Sequence, residues 1–160
     1  MTQIKLSICI PTYNRAEYLR TALECLAKAD FSFSHEIVIS DNASPDHTQE
    51  VVQDFIAKGL PIKYLRAPVN AGQGPNLTNA IQHASGEYMI YQGDDDLLIL
   101  PQVAKVVAYL DANPDVNACH APWYLYNQVA DVDTQKFYEV DADRKFERQD
   151  YLGVFEFLFQ

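Results

Sequence analysis

Short, β-branched, almost continuous apolar runs alternate with stretches whose apolar residues recur at helical spacing, and this alternation narrows the fold more than any other property of the chain. The first run, IKLSICIP, closes at Pro11, and Leu19, Ala22, Leu23 and Leu26 then fall on one helical face. HEIVISD reads as a second strand, and Val51, Val52, Phe55 and Ile56 stripe the helix after it. PIKYLR makes a third strand, VNAGQGPN a glycine-bearing loop, and residues 76–84 a helix opening at Pro75, because proline suits the first helical position. EYMIY is a fourth strand. Pro101 opens a helix whose Val103, Val106, Val107 and Leu110 recur at i, i+3, i+4 and i+7, and VNACHAPWYLY reads as a fifth strand. Asn14 with Glu17 three residues on resembles a capping box, and Ser44 before Pro45 reads as the cap of the second helix. Strands buried on both faces and separated by helices form parallel sheets with right-handed crossovers. The expected class is therefore α/β, a mostly parallel sheet with helices on both faces.

Several functions are excluded before any motif is considered. At 160 residues the chain is long enough for one domain with a real core. No apolar run approaches the roughly 18 residues that would span a bilayer. The amino end lacks the charged and apolar regions of a secretory signal, so it reads as a cytoplasmic start. A net charge of −10 with no basic stripe argues against nucleic acid as a partner. Cys9, Cys25 and Cys119 form no C-x-x-C pair, and His35, His47, His83 and His120 lack zinc-ligand spacing. From about Asp131 the alternation stops, and the chain ends on DYLGVFEFLFQ, a helical pattern without a stop signal. The expectation is a piece of a larger protein.

In parallel sheets ligands bind beyond the carboxyl ends of the strands. Here those ends are PTYNR, SDNAS, NAGQGPN and QGDDD. Turn chemistry alone favours Asn, Asp, Gly and Pro at such places and accounts for about half of these residues. It does not account for Asp94, Asp95 and Asp96 in a row, which repel one another unless solvent or a cation offsets the charge. A hard divalent ion held by carboxylates and substrate phosphate is one reading, and a solvated turn is the other. Asp41 is either an Asx-turn residue or an acceptor for a base edge or sugar hydroxyl, and Tyr13 is either surface packing or a stacking face for a nucleobase.

Taken in order, SICIPTYNRAEYLRTALECL, EIVISDNASPDHT, NAGQGPNLTNAIQHASGEYM and YQGDDDLL resemble the amino-terminal, nucleotide-sugar-binding part of the inverting glycosyltransferases of family two, over residues 4–127. The resemblance implies the GT-A (Rossmann-like) fold, with residues 1–127 as the nucleotide-sugar-binding core and 128–160 as the start of an acceptor-side region. It implies that Pro11, Thr12 and Tyr13 line the base pocket with Asn14 and Arg15 at its edge, and that Asp41, beside Asn42, reads the base. Gly72 and Asn76 would lie near ribose and diphosphate. The triplet resembles the family's D-x-D motif, with Gly93 at the place of its usual first Asp, Asp94 as the sugar-nucleotide contact, and Asp95 with Asp96 as ligands of Mn2+ or Mg2+. Pro75 stands where many relatives carry a basic residue, so diphosphate neutralisation leans on the metal and Arg15.

The implied chemistry is displacement at an anomeric carbon with inversion, from a UDP-, GDP- or dTDP-linked sugar to a hydroxyl of a glycan or lipid-linked acceptor. The implied setting is surface polysaccharide synthesis, in the cytoplasm or at the inner face of the membrane. The catalytic base is expected beyond Gln160, since Asp131, Asp133, Asp141, Asp143 and Asp150 sit in no motif. The alternative is a non-catalytic sugar-nucleotide-binding module of the same fold. A sugar-nucleotide pyrophosphorylase would need a glycine-rich loop after the first strand, a dehydrogenase G-x-G-x-x-G, and a phosphate-loop kinase Gly-Lys-Ser or Gly-Lys-Thr; all three are absent.

Overall fold

The computed structural model describes residues 3–119, together with the backbone of two short strands further on. Elements alternate in the order β1 (Leu6–Thr12), α1 (Ala16–Leu26), β2 (His35–Asp41), α2 (Thr48–Ala57), β3 (Ile62–Arg66), α3 (Gln73–Gln82), β4 (Tyr88–Tyr91) and α4 (Leu100–Ala112). The first four strands form one sheet in the order β3-β2-β1-β4, parallel at every pairing. On one face Leu6, Ile8, Ile10, Ile37 and Ile39 pack against Leu19 and Leu23 of α1, Val51, Val52 and Phe55 of α2, and Val103 and Val107 of α4. On the other, Cys9 and Val38 meet Ala80 of α3. Alternate residues of each central strand thus feed opposite cores, which is why the strands read as unbroken apolar runs. The chain divides near Asn117, and beyond it β5 (Tyr124–Leu125) and β6 (Gln135–Lys136) pair antiparallel.

Four local expectations need correction. First, β1 does not stop at Pro11 but runs to Thr12. The carbonyl of Cys9 accepts from Gln92 on the β4 side and that of Thr12 accepts from Asn42 on the β2 side, so odd-numbered residues face β4. Pro11 falls on that side after the ladder has ended at Cys9–Tyr91, where no amide is required. Second, α3 starts at Gln73, two residues before the proline, which sits in the first turn where helical amides lack partners anyway. Third, of the proposed fifth strand, residues 116–119 are not in a strand, and Tyr124–Leu125 pairs with β6 instead of joining the parallel sheet. The other residues of that stretch, the carboxyl-terminal helical pattern and the five downstream aspartates lie outside the described residues.

Fourth, neither helix cap is the one its local sequence suggests. Asn14 lies before α1 in the left-handed region, φ 55°, a conformation Asn tolerates, and its amide donates to Ser44 Oγ at 2.9 Å. Ser44 in turn precedes α2 by four residues. Asp46 caps both helices: Oδ2 accepts from the Ala16 amide at 2.9 Å, and Oδ1 accepts from the Thr48 amide at 3.1 Å and the Thr48 hydroxyl at 2.6 Å. Burial pushes the Asp46 carboxyl upward, but these donors outweigh it and hold it below its ordinary value.

A lowered carboxyl pKa contributes stability that is present above the ordinary value and lost as pH falls through the lowered one. Asp46→Ala is expected to cost about 2 kcal/mol in urea unfolding at pH 7, roughly one cap at each helix. Its deficit against the wild type should shrink as the pH is lowered below 3.8, the group's ordinary value. A deficit constant down to pH 2 would mean that the carboxylate charge contributes nothing.

Candidate functional site

The chain builds β2 and β3 outward from one edge of β1, then crosses by α3 and places β4 on the other edge. The crevice beyond the ends of β1 and β4 is therefore the point at which the strand order reverses, the usual ligand position in open α/β sheets. Thr12, the last residue of β1, donates its hydroxyl to Asp94 Oδ2 at 2.7 Å, with both residues buried. Arg15 spans two carboxylates, Nη1 to Asp94 Oδ1 at 3.1 Å and Nη2 to Asp95 Oδ2 at 2.7 Å, and its guanidinium lies 4.7 Å from the centre of the Tyr18 ring. Desolvation raises the Asp94 carboxyl above its ordinary value, against the opposing pull of Thr12 and Arg15. For Arg15, burial acts downward, and the two carboxylates more than reverse it.

The triplet thus divides by environment. Asp94 is buried and internally bonded, whereas Asp95 and Asp96 are exposed. Those two carboxylates converge over Gly93: a Cβ there would lie 2.6 Å from Asp96 Oδ2 and 3.1 Å from Asp95 Oδ1. Gly93 is what allows Asp96 to fold back over the loop. Beneath it Gln92 is buried, with its amide nitrogen donating to the Asp96 carbonyl at 2.9 Å and its Oε1 unpartnered among the described residues. No three acidic, histidine or cysteine side chains among the described residues gather tightly enough to hold a metal ion by themselves. Two accessible carboxylates nevertheless fit a hard cation that keeps waters and takes its remaining oxygens from a phosphate.

The other expected residues form the wall beside this crevice. Asn76 is buried, accepting from Ser40 Oγ at 2.7 Å and donating to the Thr12 carbonyl at 3.2 Å. Asn42 donates to Asn70 Oδ1 and to the Gly72 carbonyl and accepts from the Ala71 amide, stapling the loop before α3. Gly72 has φ 91°, so a side chain there would be strained. Tyr13 is 41% exposed, Asn14 is exposed and Pro11 half-buried. A cavity of about 530 Å³ between β3 and α3 shares Asn42 and Asn76 with this wall but includes none of the triplet.

Asp41 is fully buried, and its oxygens are engaged within the protein: Oδ1 by the Ser44 amide at 2.8 Å, Oδ2 by the Tyr64 hydroxyl at 2.6 Å and Arg66 Nε at 3.2 Å. The Asx-type contact with Ser44 is therefore realised. Burial, followed by the bond to Asp41, pushes the Tyr64 hydroxyl up, so it remains a donor. Sequence reading missed Tyr64, Arg66, Ser40, Asn70 and Gln92. The available signal was parity: Tyr64 and Arg66 are two apart on a strand, and register sets Arg66 beside Asp41.

The sequence profile of Glycosyl transferase family 2 matches residues 7–157. The chain belongs to that family. It is 39% identical over 116 residues to abequosyltransferase RfbV of Salmonella typhimurium, which covers 71% of this chain and 35% of the relative. It is also 39% identical over 97 residues to a Campylobacter jejuni GalNAc(5)-diNAcBac-PP-undecaprenol beta-1,3-glucosyltransferase, 59% of this chain and 31% of that one. Among solved structures, Staphylococcus aureus TarS in complex with UDP superposes with a TM-score of 0.65 at 29% identity, over 75% of this chain and 38% of TarS. The mannosyltransferase PcManGT of Pyrobaculum calidifontis, in complex with GDP-Man and Mn2+, gives 0.63 at 26%, over 70% and 33%. The fold is GT-A, and the chain spans about a third of the length of these relatives. Among the described residues no helix is long and apolar enough to cross a membrane.

A raised carboxyl pKa is a liability at neutral pH: the stability associated with the protonated form is present below the ordinary value and lost as pH rises through the raised one. Asp94→Asn keeps an acceptor for Thr12 and removes the buried charge. Thermal melts between pH 4 and 7 should show the variant gaining on the wild type as pH rises, and a pH-independent gap would contradict the assignment.

Proposed function

We propose that this chain is the donor-binding part of an inverting, metal-assisted glycosyltransferase that moves a sugar from a nucleoside diphosphate to an acceptor hydroxyl in surface glycan synthesis. The observation that carries the reading is the Thr12–Asp94 and Arg15–Asp95 cluster at the reversal point of the sheet, in a chain of this family. Relatives solved with UDP and with GDP-Man and Mn2+ support a nucleotide-sugar ligand. Tyr13 offers its exposed ring to the base, and Arg15 faces the diphosphate. Asp41, buried with both oxygens bonded, positions Tyr64 and Arg66 at the wall instead of meeting the base itself. Asn76, Asn42 and Gly72 fix the wall along ribose and diphosphate.

Asp95 and Asp96 hold Mn2+ or Mg2+, which when bound stabilises the departing diphosphate as a Lewis acid. Asp94, pinned by Thr12, sets the position of the other two and faces the sugar side. The acceptor site and the general base lie outside the described residues, and the protein works in the cytoplasm or at the inner membrane face.

Calorimetry with UDP, CDP, GDP and dTDP, each with and without Mn2+, tests the reading, and failure of all four to bind under either condition would sink it. Asp95→Asn should lose about tenfold or more in nucleotide affinity when Mn2+ is present and little in its absence. Equal losses in both conditions would indicate damage to the fold instead. Tyr13→Ala should weaken every nucleotide by about 1–3 kcal/mol through loss of a stacking face. An unchanged affinity would reduce Tyr13 to surface packing.

A further inference from the structure

We propose that Arg15 is a built-in counter-ion of the acidic loop, which a divalent cation displaces from Asp95, so that metal and nucleoside diphosphate bind cooperatively and the metal binds weakly alone. The inference rests on the reading of this crevice as a metal and diphosphate station.

The guanidinium already neutralises one oxygen of Asp95, a carboxylate the metal would share with Asp96. Its Nη2 lies 2.7 Å from Asp95 Oδ2 and its Nη1 3.1 Å from Asp94 Oδ1, so one cation spans the two carboxylates whose mutual repulsion made the triplet anomalous. The two contacts are unequal in kind. Asp94 is buried, with its second oxygen fixed by Thr12, while the Asp95 side chain is 43% exposed and that of Arg15 41%. The Arg15–Asp95 half is therefore the one that can open without exposing a buried charge. The guanidinium lies 4.7 Å from the centre of the Tyr18 ring while it bridges the two carboxylates. The loop also carries an unmet polar demand, since Gln92 bonds the Asp96 carbonyl through nitrogen and leaves its buried oxygen without a donor. The present loop conformation thus does not satisfy every group that supports it.

A metal alone must compete with a cation already in place. A metal arriving with a diphosphate does not, because the diphosphate gives Arg15 new anionic partners as it leaves Asp95. Each anion ends with a cationic partner: the divalent ion replaces the guanidinium on the carboxylate, and the guanidinium moves to phosphate oxygen. Coupling of this type is reciprocal, so the metal tightens the nucleotide by the same factor by which the nucleotide tightens the metal.

The test is Mn2+ titration, followed by the paramagnetic resonance of free Mn2+, on the full chain as wild type, Arg15→Gln and Arg15→Lys. Each protein is titrated alone and with the tightest binder among UDP, CDP, GDP and dTDP, and thermal melts establish that each variant is folded. The wild type should bind Mn2+ about tenfold or more tightly with nucleotide than without. Arg15→Gln should bind Mn2+ alone about tenfold more tightly than the wild type, with the nucleotide adding less than it adds in the wild type. Arg15→Lys, which keeps the charge but not the fork that spans two carboxylates, should fall between them. The titration without nucleotide is decisive, because mere loss of a phosphate contact would leave it unmoved. Equal Mn2+ affinities of wild type and Arg15→Gln in that titration, beside intact joint binding by the wild type, would overturn the exchange and leave the proposed function standing. No Mn2+ binding to the wild type with any nucleotide would overturn the metal assignment and the exchange together.

Discussion

The hydrogen bond from Thr12 to Asp94 joins the first strand to the loop after the fourth, across 82 positions of sequence. It exists only because β4 lies on the opposite edge of β1 from β2, which brings the two strand ends together where the order reverses. Everything charged in the crevice is referred to it. Thr12 fixes one oxygen of Asp94, Arg15 takes the other, and Arg15 then reaches Asp95. From the other side, Asn76 of α3 donates to the Thr12 carbonyl, so the crossover helix is keyed to the same residue.

The site divides into a hydrogen-bonded wall and a solvent-exposed edge on physical grounds. Ser40, Asn42, Asn76 and Asn79 bond one another or the backbone, and side-chain networks with satisfied partners specify one arrangement. Tyr13, Arg15, Asp95 and Asp96 stand at the solvent side, with few constraints beyond ion pairs between half-exposed groups, and such pairs are weak. Binding groups on a loop held by a rigid scaffold is a common division of labour. Here the boundary between the two runs through the triplet itself, between Asp94 and Asp95.

The four strands and four helices were legible because each central strand feeds two cores and each helix feeds one, which leaves separate periods in the sequence. The caps were not, because Asp46 reaches back 30 positions to the Ala16 amide, a donor no local motif reveals. The triplet and the strand-end residues could be singled out, since like charges in a row demand compensation. That the compensation comes from Arg15 could not be read, because the pairing depends on how the turn after β1 folds. For Asp41 the turn contact to Ser44 was one of two readings offered by local chemistry. Its pairing with Arg66 follows from the register of β2 with β3, which a one-residue shift would have reversed in face.

Gly93 shows how a residue that weakens a motif on paper can suit the loop that carries it. An aspartate there would add a fourth carboxylate to a loop already short of cations, and its Cβ would stand 2.6 Å from Asp96 Oδ2. Asp96 would have to swing away, which would separate it from Asp95 and open the pair best suited to share an ion. Glycine avoids both problems, and the turn itself is closed by the Asp96 amide on the Gly93 carbonyl. The buried carboxylate of Asp94 is held separately, by Thr12 and Arg15. Its desolvation is the stability cost of holding Asp95 at the crevice mouth.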